Sequence, residues 1–155
     1  MSEHHASIAW ALGDSPFTYD GYPRAHTTRY GGGVAVQVSA AQEYRGDASL
    51  PNPEELLVSA AASCHMLTFL AIAARKKWVV LAYEDAAVGY LEPNDERRLA
   101  ITRIELRPTI TFQGDAPPPE EMEKLHELSH RNCFIAQSLR ATVTVLPSDP
   151  RPGVS

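Results

Sequence analysis

The stretch PNPEELLVSAAASCHMLTFLAIAARKKW, which begins at Pro51, reads as one long helix. Asn52 is a good N-cap, Pro53 falls at the first helical position, and Glu55 falls where a capping box wants an acid. Ala, Leu and Met then dominate as far as Lys77. Apolar residues lie on nearly every face, so the expectation is a buried central helix. A helix this apolar is too greasy for one sheet to cover, which points to an intertwined homodimer. In the middle of the run stands a single thiol, Cys64.

The remaining elements follow from local patterns. Ser7–Leu12 reads as a short strand, and Gly13–Pro23 as a loop rich in Gly, Asp, Ser and Pro. Thr27–Tyr30 reads as extended. Gly31-Gly32-Gly33 makes a tight turn before a strand over Val34–Val38. No Walker lysine or GxGxxG accompanies the glycines, so they are not a nucleotide loop. After the helix, Val79–Leu91 reads as one strand, closed by the turn Glu92-Pro93-Asn94-Asp95. The next strand puts Thr102, Ile104, Leu106, Pro108, Ile110 and Phe112 on one face and Arg103, Glu105, Arg107, Thr109 and Thr111 on the other. Pro108 is expected to place it at an edge or a bulge. Pro117-Pro118-Pro119 introduces a second helix with Met122, Leu125 and Leu128 or Ser129 as its buried stripe, and Cys133 at or just past its end. A helical turn over Ile135–Leu139 and a strand over Ala141–Leu146 complete the reading. The order is β-β-α-β-β-α-β, an α+β class.

At 155 residues the chain fits one domain, with a flexible tail over 146–155. A net charge of −5 with no basic helix face argues against a nucleic-acid partner. The N-terminus MSEHHASIAW lacks the basic-then-apolar layout of a signal peptide, and Leu67–Ala74 is too short to cross a bilayer. A cytoplasmic protein without a membrane partner is expected.

Two cysteines, Cys64 and Cys133, carry the candidate chemistry. Without a secretion signal they are poor candidates for a structural staple, and each also fits a small buried hydrophobe. A reactive thiol needs a cation or helix N-terminus nearby. None is local to Cys64, and His65 points about 100° away from it on a helix. The segment YPRAHTTRY supplies Arg24, His26 and Arg29 as candidates. A second thiol close by would give a nucleophile and a resolving partner. His126-Glu127-Leu128-Ser129-His130 spells HExxH, a zinc pattern. No third ligand follows except Asp149 in the tail, and Ala136 stands where an extended motif would have histidine, so no metal is expected. The two histidines are expected on the wet flank of their helix.

NPEELLVSAAASCHM and RNCFIAQS resemble the OsmC/Ohr family, the osmotically inducible and organic hydroperoxide resistance proteins. The match runs over about Ser7–Leu146 and includes an Asn-Pro-Glu helix start followed by Cys ten positions after the Glu. The resemblance implies antiparallel sheets around a long central helix in an intertwined dimer. It implies peroxidase activity on organic hydroperoxides, with Cys64 peroxidatic and Cys133 resolving. Glu54 matches the glutamate that holds an arginine against the thiolate; Arg24 is the first choice for that arginine and Arg29 the second. It implies an external dithiol reductant, possibly lipoyl-type, and no cofactor. The sequence departs from the family in having Phe134 after Cys133 and His65-Met66 after Cys64. A redox-sensing or apolar-ligand-binding module on the same fold stays open. On a straight helix Glu54 and Cys64 lie about 15 Å apart along the axis. One arginine joining both therefore requires a helix break near Ser59–Ser63 or a glutamate from a second chain.

Overall fold

Gly33, at φ +84°, closes a tight turn that only a residue tolerant of the left-handed region makes cheaply. It joins β2 (His26–Tyr30) to β3 (Ala35–Val38), and β1 (Ala6–Ala9) pairs on the other side of β2. The result is an antiparallel sheet in the order β1-β2-β3. The structure, a computed structural model, describes residues 1–153. It divides into two compact units, Met1–Leu56 and a second one from Leu57 onward. In the first unit few side chains are buried; Thr28, Val38 and Ser39 are the ones, while Ile8, Phe17 and Val34 face outward.

The long helix α1 runs unbroken over Pro53–Arg75. Its start is a reciprocal capping box: the Asn52 N–H donates to Glu55 Oε2 at 3.0 Å and the Glu55 N–H to Asn52 Oδ1 at 2.9 Å. A break near Ser59–Ser63, one of the two alternatives that the Glu54–Cys64 spacing raised, does not occur. Ser costs only a few tenths of a kcal/mol in a helix, and the flanking Ala and Leu residues outweigh it. By length and composition α1 could cross a bilayer, with mean hydropathy 1.9 over its best window, although Leu67–Ala74 alone could not. Within the second unit it is a core helix, burying Ala61, His65, Phe69 and Ala73 at strict four-residue spacing.

Two three-stranded sheets pack against it. The first has the order β4 (Val80–Asp85), β7 (Pro108–Gln113), β9 (Arg151–Gly153); the second has β5 (Val88–Pro93), β6 (Leu99–Leu106), β8 (Thr142–Val145). Helix α2 (Pro119–Asn132) and the short α3 (Phe134–Ser138) lie between β7 and β8 in the chain. Phe69 and Ala73 pack with Ile110, Phe112, Met122 and Leu125; Ala61 packs with Ile104 and Leu106. Gly89 lets β5 come close to α1, since a Cβ there would collide with the Val58 side chain. The fold is α+β with sheets packed on a long helix, as expected.

Five details differ from the sequence reading. Val79–Leu91 is two strands, β4 and β5, in different sheets. The long strand around Pro108 is also two, β6 and β7, parted at Arg107. Each is the central strand of its sheet rather than an edge. Pro108 is tolerated because it stands first in β7, where the chain changes sheets. The expected alternation survives the switch, with Ile104, Leu106, Pro108, Ile110 and Phe112 all buried. The sheets are not purely antiparallel: β6 with β8 and β7 with β9 are parallel. Finally, Arg151–Gly153 of the expected flexible tail pair with β7, and Ser148 N–H donates to the Pro108 carbonyl at 2.9 Å. Val154 and Ser155 of that tail lie outside the described residues.

Candidate active site

Cys64 stands midway along α1 and is half-buried; its carbonyl accepts a bond from Thr68 Oγ1 at 2.8 Å. Cys133 ends α2 because its backbone turns extended (φ −76°, ψ 108°), and the same residue caps α3. Its Sγ accepts the Ala136 N–H at 3.4 Å. The Cys133 side chain is 1% exposed. The two thiols are free and neighbouring, close enough for a hydrogen bond from Cys64 to bear on Cys133. Burial is the main cause that pushes the Cys133 thiol up to about 11; the Ala136 and Ile135 N–H groups pull it down, while the hydrogen bond and charge of Cys64 push it further up. The pair therefore holds one half-buried cysteine and one enclosed, protonated thiol. Leu67, three residues after Cys64, and Phe134, next to Cys133, are 60% and 82% exposed.

Next to the thiols the interior of the second unit turns polar. His65 and His126 stack with centroids 5.5 Å apart and planes 6° apart, and His65 Nε2 lies 3.2 Å from His126 Nδ1. Burial is the first cause that lowers both imidazoles to about 4, with the charges of His126 and His130 adding to the fall at His65. Both rings are neutral at pH 7, so their contact is an ordinary hydrogen bond from one N–H to one lone pair. His126 was expected on the wet flank and is instead 6% exposed. For His65 a signal was present in the sequence: it sits four residues after Ala61 and four before Phe69, on the stripe of α1 that faces the core. Among the described residues no three His, Cys, Asp or Glu side chains stand where they could hold one metal ion.

The structure places Arg24 and Glu54 in the first unit without joining them. The Arg24 guanidinium donates to the carbonyls of Tyr22 at 2.6 Å and Tyr19 at 2.5 Å, and its carbon lies 3.7 Å from the centre of the Tyr22 ring. Glu54 stands in the first turn of α1, and Arg29 lies exposed on β2. Because α1 is unbroken, Glu54 and Cys64 remain about 15 Å apart along its axis.

Fold and site together define an α+β protein with two neighbouring cysteines, one half-buried and one enclosed. The OsmC-like protein family matches residues 46–147. An OsmC-like protein of unknown function from Vibrio cholerae is similar at 40% identity, covering 96% of this chain and 100% of that one, with a TM-score of 0.91. An OsmC-like protein from Mycoplasma pneumoniae shares the fold at 13% identity and TM-score 0.74, covering 97% and 98% of the two chains. So does an organic hydroperoxide resistance protein from Elizabethkingia anophelis, at 14% identity and TM-score 0.68, covering 99% and 98%. No curated protein matches the chain. The chain belongs to the OsmC-like family.

Proposed function

We propose that this protein is a thiol peroxidase that reduces organic hydroperoxides to alcohols. The observation that carries this reading is the asymmetric thiol pair: half-buried Cys64 beside enclosed Cys133. The Cys64 thiolate attacks the terminal peroxide oxygen and breaks the O–O bond. The alkoxide leaves and takes a proton to become the alcohol, and Cys64 becomes a sulfenic acid. The Cys133 sulfur then displaces that hydroxyl as water, forming a Cys64–Cys133 disulfide. An external dithiol, of lipoyl type in this reading, returns both thiols by exchange. The exposed Leu67 and Phe134 favour a greasy peroxide over hydrogen peroxide.

The proposal includes a homodimer. Only 22% of the apolar window of α1 is buried in the single chain, and a second copy supplies the missing cover. It also supplies a route for the charges. The unbroken α1 keeps Glu54 away from Cys64 of its own chain, so the carboxylate that positions Arg24 at a thiolate comes from the other protomer. The working place is the cytoplasm, without nucleic acid or membrane partners. The test is turnover of a peroxide panel with lipoyl-type and other dithiols, alongside sedimentation at micromolar concentration. Cumene hydroperoxide consumption that depends on Cys64 and on a dithiol supports the reading. Reversible disulfide formation without turnover of any peroxide moves the assignment to a redox sensor, and a monomer removes the inter-chain carboxylate.

A further inference from the structure

Helices α1 and α2 meet antiparallel. Lys76, just past the end of α1, pairs with Glu121 in the first turn of α2; His65 pairs with His126; and Cys64 neighbours Cys133 at the far end of α2. Between the ion pair and the imidazoles lie Phe69, Met122 and Leu125. Apolar burial of this kind holds two helices together but is non-directional, so it leaves their rotation weakly specified. The imidazole pair is directional. The residues are 1% and 6% exposed, and their ring planes are 6° apart. One N–H to lone-pair bond of 3.2 Å joins them across 61 positions of sequence. Each ring leaves its second nitrogen, His65 Nδ1 and His126 Nε2, buried without a partner. Two half-satisfied imidazoles cost stability that an apolar pair of similar size does not. What such a pair contributes is direction, as a buried polar side chain does when it sets the register of paired helices.

We propose that His65 and His126 are a positioning pair: their hydrogen bond fixes the rotation of α2 on α1 and so brings Cys133 to Cys64. Cys64 directly precedes His65 on α1. On α2, His126 and Cys133 stand about two turns apart, which puts them within about 20° of each other around the axis. Ser129 lies on the same buried stripe between them. Whatever aims His126 therefore aims Cys133. A slip of α2 by one residue turns its side chains by about 100° and moves them about 1.5 Å along the axis. That slip breaks the imidazole bond and takes the sulfurs out of the narrow geometry that a disulfide accepts. The inference rests on the resolving role proposed for Cys133, but its consequence is a disulfide equilibrium that is read without peroxide. In that equilibrium the two thiols lose two protons and two electrons as the S–S bond forms, and an oxidised dithiol takes them up by exchange.

The test is the redox equilibrium of the full-length protein with oxidised and reduced dithiothreitol, with free thiols trapped and counted by mass spectrometry. Urea midpoints of the reduced proteins are measured alongside. His126→Leu should weaken the Cys64–Cys133 disulfide about tenfold, a rise in potential of about 30 mV. It should also lower the midpoint, because His65 loses its partner. The double variant His65→Leu/His126→Leu should bring the midpoint back to the wild-type value or above it, yet keep the raised potential. His126→Asn, whose amide stands where Nδ1 stood, should restore most of the disulfide. Phe112→Leu, in the apolar cluster, should lower the midpoint and leave the potential unchanged. A double variant with the wild-type potential overturns the proposal. So does a potential that simply follows the midpoint through all the variants, which would reduce the pair to packing. Wild-type protein that forms no Cys64–Cys133 disulfide under oxidised dithiothreitol overturns it equally. Wild-type protein that shows these shifts but consumes no peroxide upholds the inference and removes the peroxidase reading.

Discussion

The contact between α1 and α2 has two ends built from opposite materials. At one end Phe69, Ala73, Leu125 and Met122 meet Ile110 and Phe112 in an apolar cluster, whose Phe69 ring also borders His126 with centroids 4.8 Å apart. At the other, His65 faces His126, Ser129 is fully buried with its hydroxyl donating to the Leu125 carbonyl at 2.6 Å, and the two thiols stand side by side. The apolar end is excluded from water throughout, whereas at the polar end His65, Ser129 and Cys133 are enclosed and Cys64 is half-buried. The apolar end returns its burial as stability, because each large side chain removed from water contributes roughly 1.5–3 kcal/mol. The polar end gives up part of that gain and obtains groups that titrate and react. The difference teaches where this helix pair spends its sequence: cohesion at the Phe69 end, chemistry at the Cys64 end.

If that division is right, substitutions at the two ends should dissociate. Cys64→Ser is isosteric and should cut peroxide consumption by roughly a hundredfold or more while moving the melting temperature little. Cys133→Ser should retain one turnover and leave a sulfenic acid on Cys64 that a dimedone probe traps. Peroxide turnover in Cys64→Ser at the wild-type rate would erase the chemical half of the comparison.

Phe69→Ala should do the reverse. The side chain is 0% exposed, and its loss should lower stability by about 3–5 kcal/mol in chemical denaturation. A smaller loss than in a surface control would show that the cohesive end is elsewhere.

Acid should attack the polar end first. His65 and His126 are held near 4, below their ordinary 6.5, so the unfolded chain binds protons that the folded chain refuses. Their contribution is fully present above about pH 6.5 and is lost as pH falls through 4, on the order of 3 kcal/mol for one imidazole. His126→Phe should flatten the stability profile between pH 6.5 and 4 relative to wild type, as read by urea midpoints. An unchanged slope would mean that the pair is not held neutral.

The smallest effect belongs to the rim of the apolar end. Lys76 Nζ lies 2.6 Å from Glu121 Oε1, and both side chains are partly exposed. Glu121→Gln should cost at most about 1 kcal/mol and less at high salt. A larger cost would show that this end also relies on charge.

The helix start, the alternation through Pro108 and the family were legible in the sequence, each for a local reason. A capping box needs only residues three apart, and both its bonds form. The period-two pattern from Ile104 to Phe112 is set by backbone geometry, whichever sheet each half joins. The OsmC-like resemblance likewise rested on contiguous motifs around Cys64 and Cys133, and family membership followed from them.

Other facts depend on residues far apart in the chain. Arg107 ends one sheet and Pro108 begins another because different partners, β8 and β9, offer hydrogen bonds to β6 and β7. The segment 151–153 forms a strand, despite its composition, because β7 presents a free side for it. His126 lies inside because α1 presents His65 opposite it, a pairing across 61 positions that no helical wheel of α2 contains. The thiols become a pair, rather than two separate cysteines, only because α2 ends where its last turn meets the middle of α1. Sequence by itself determined which residues turn helical or extended and which faces are apolar, since those depend on neighbours within a turn or two. Tertiary structure decided which strand pairs with which, and which polar groups share the interior, since burial and hydrogen-bond satisfaction depend on what the rest of the chain places alongside.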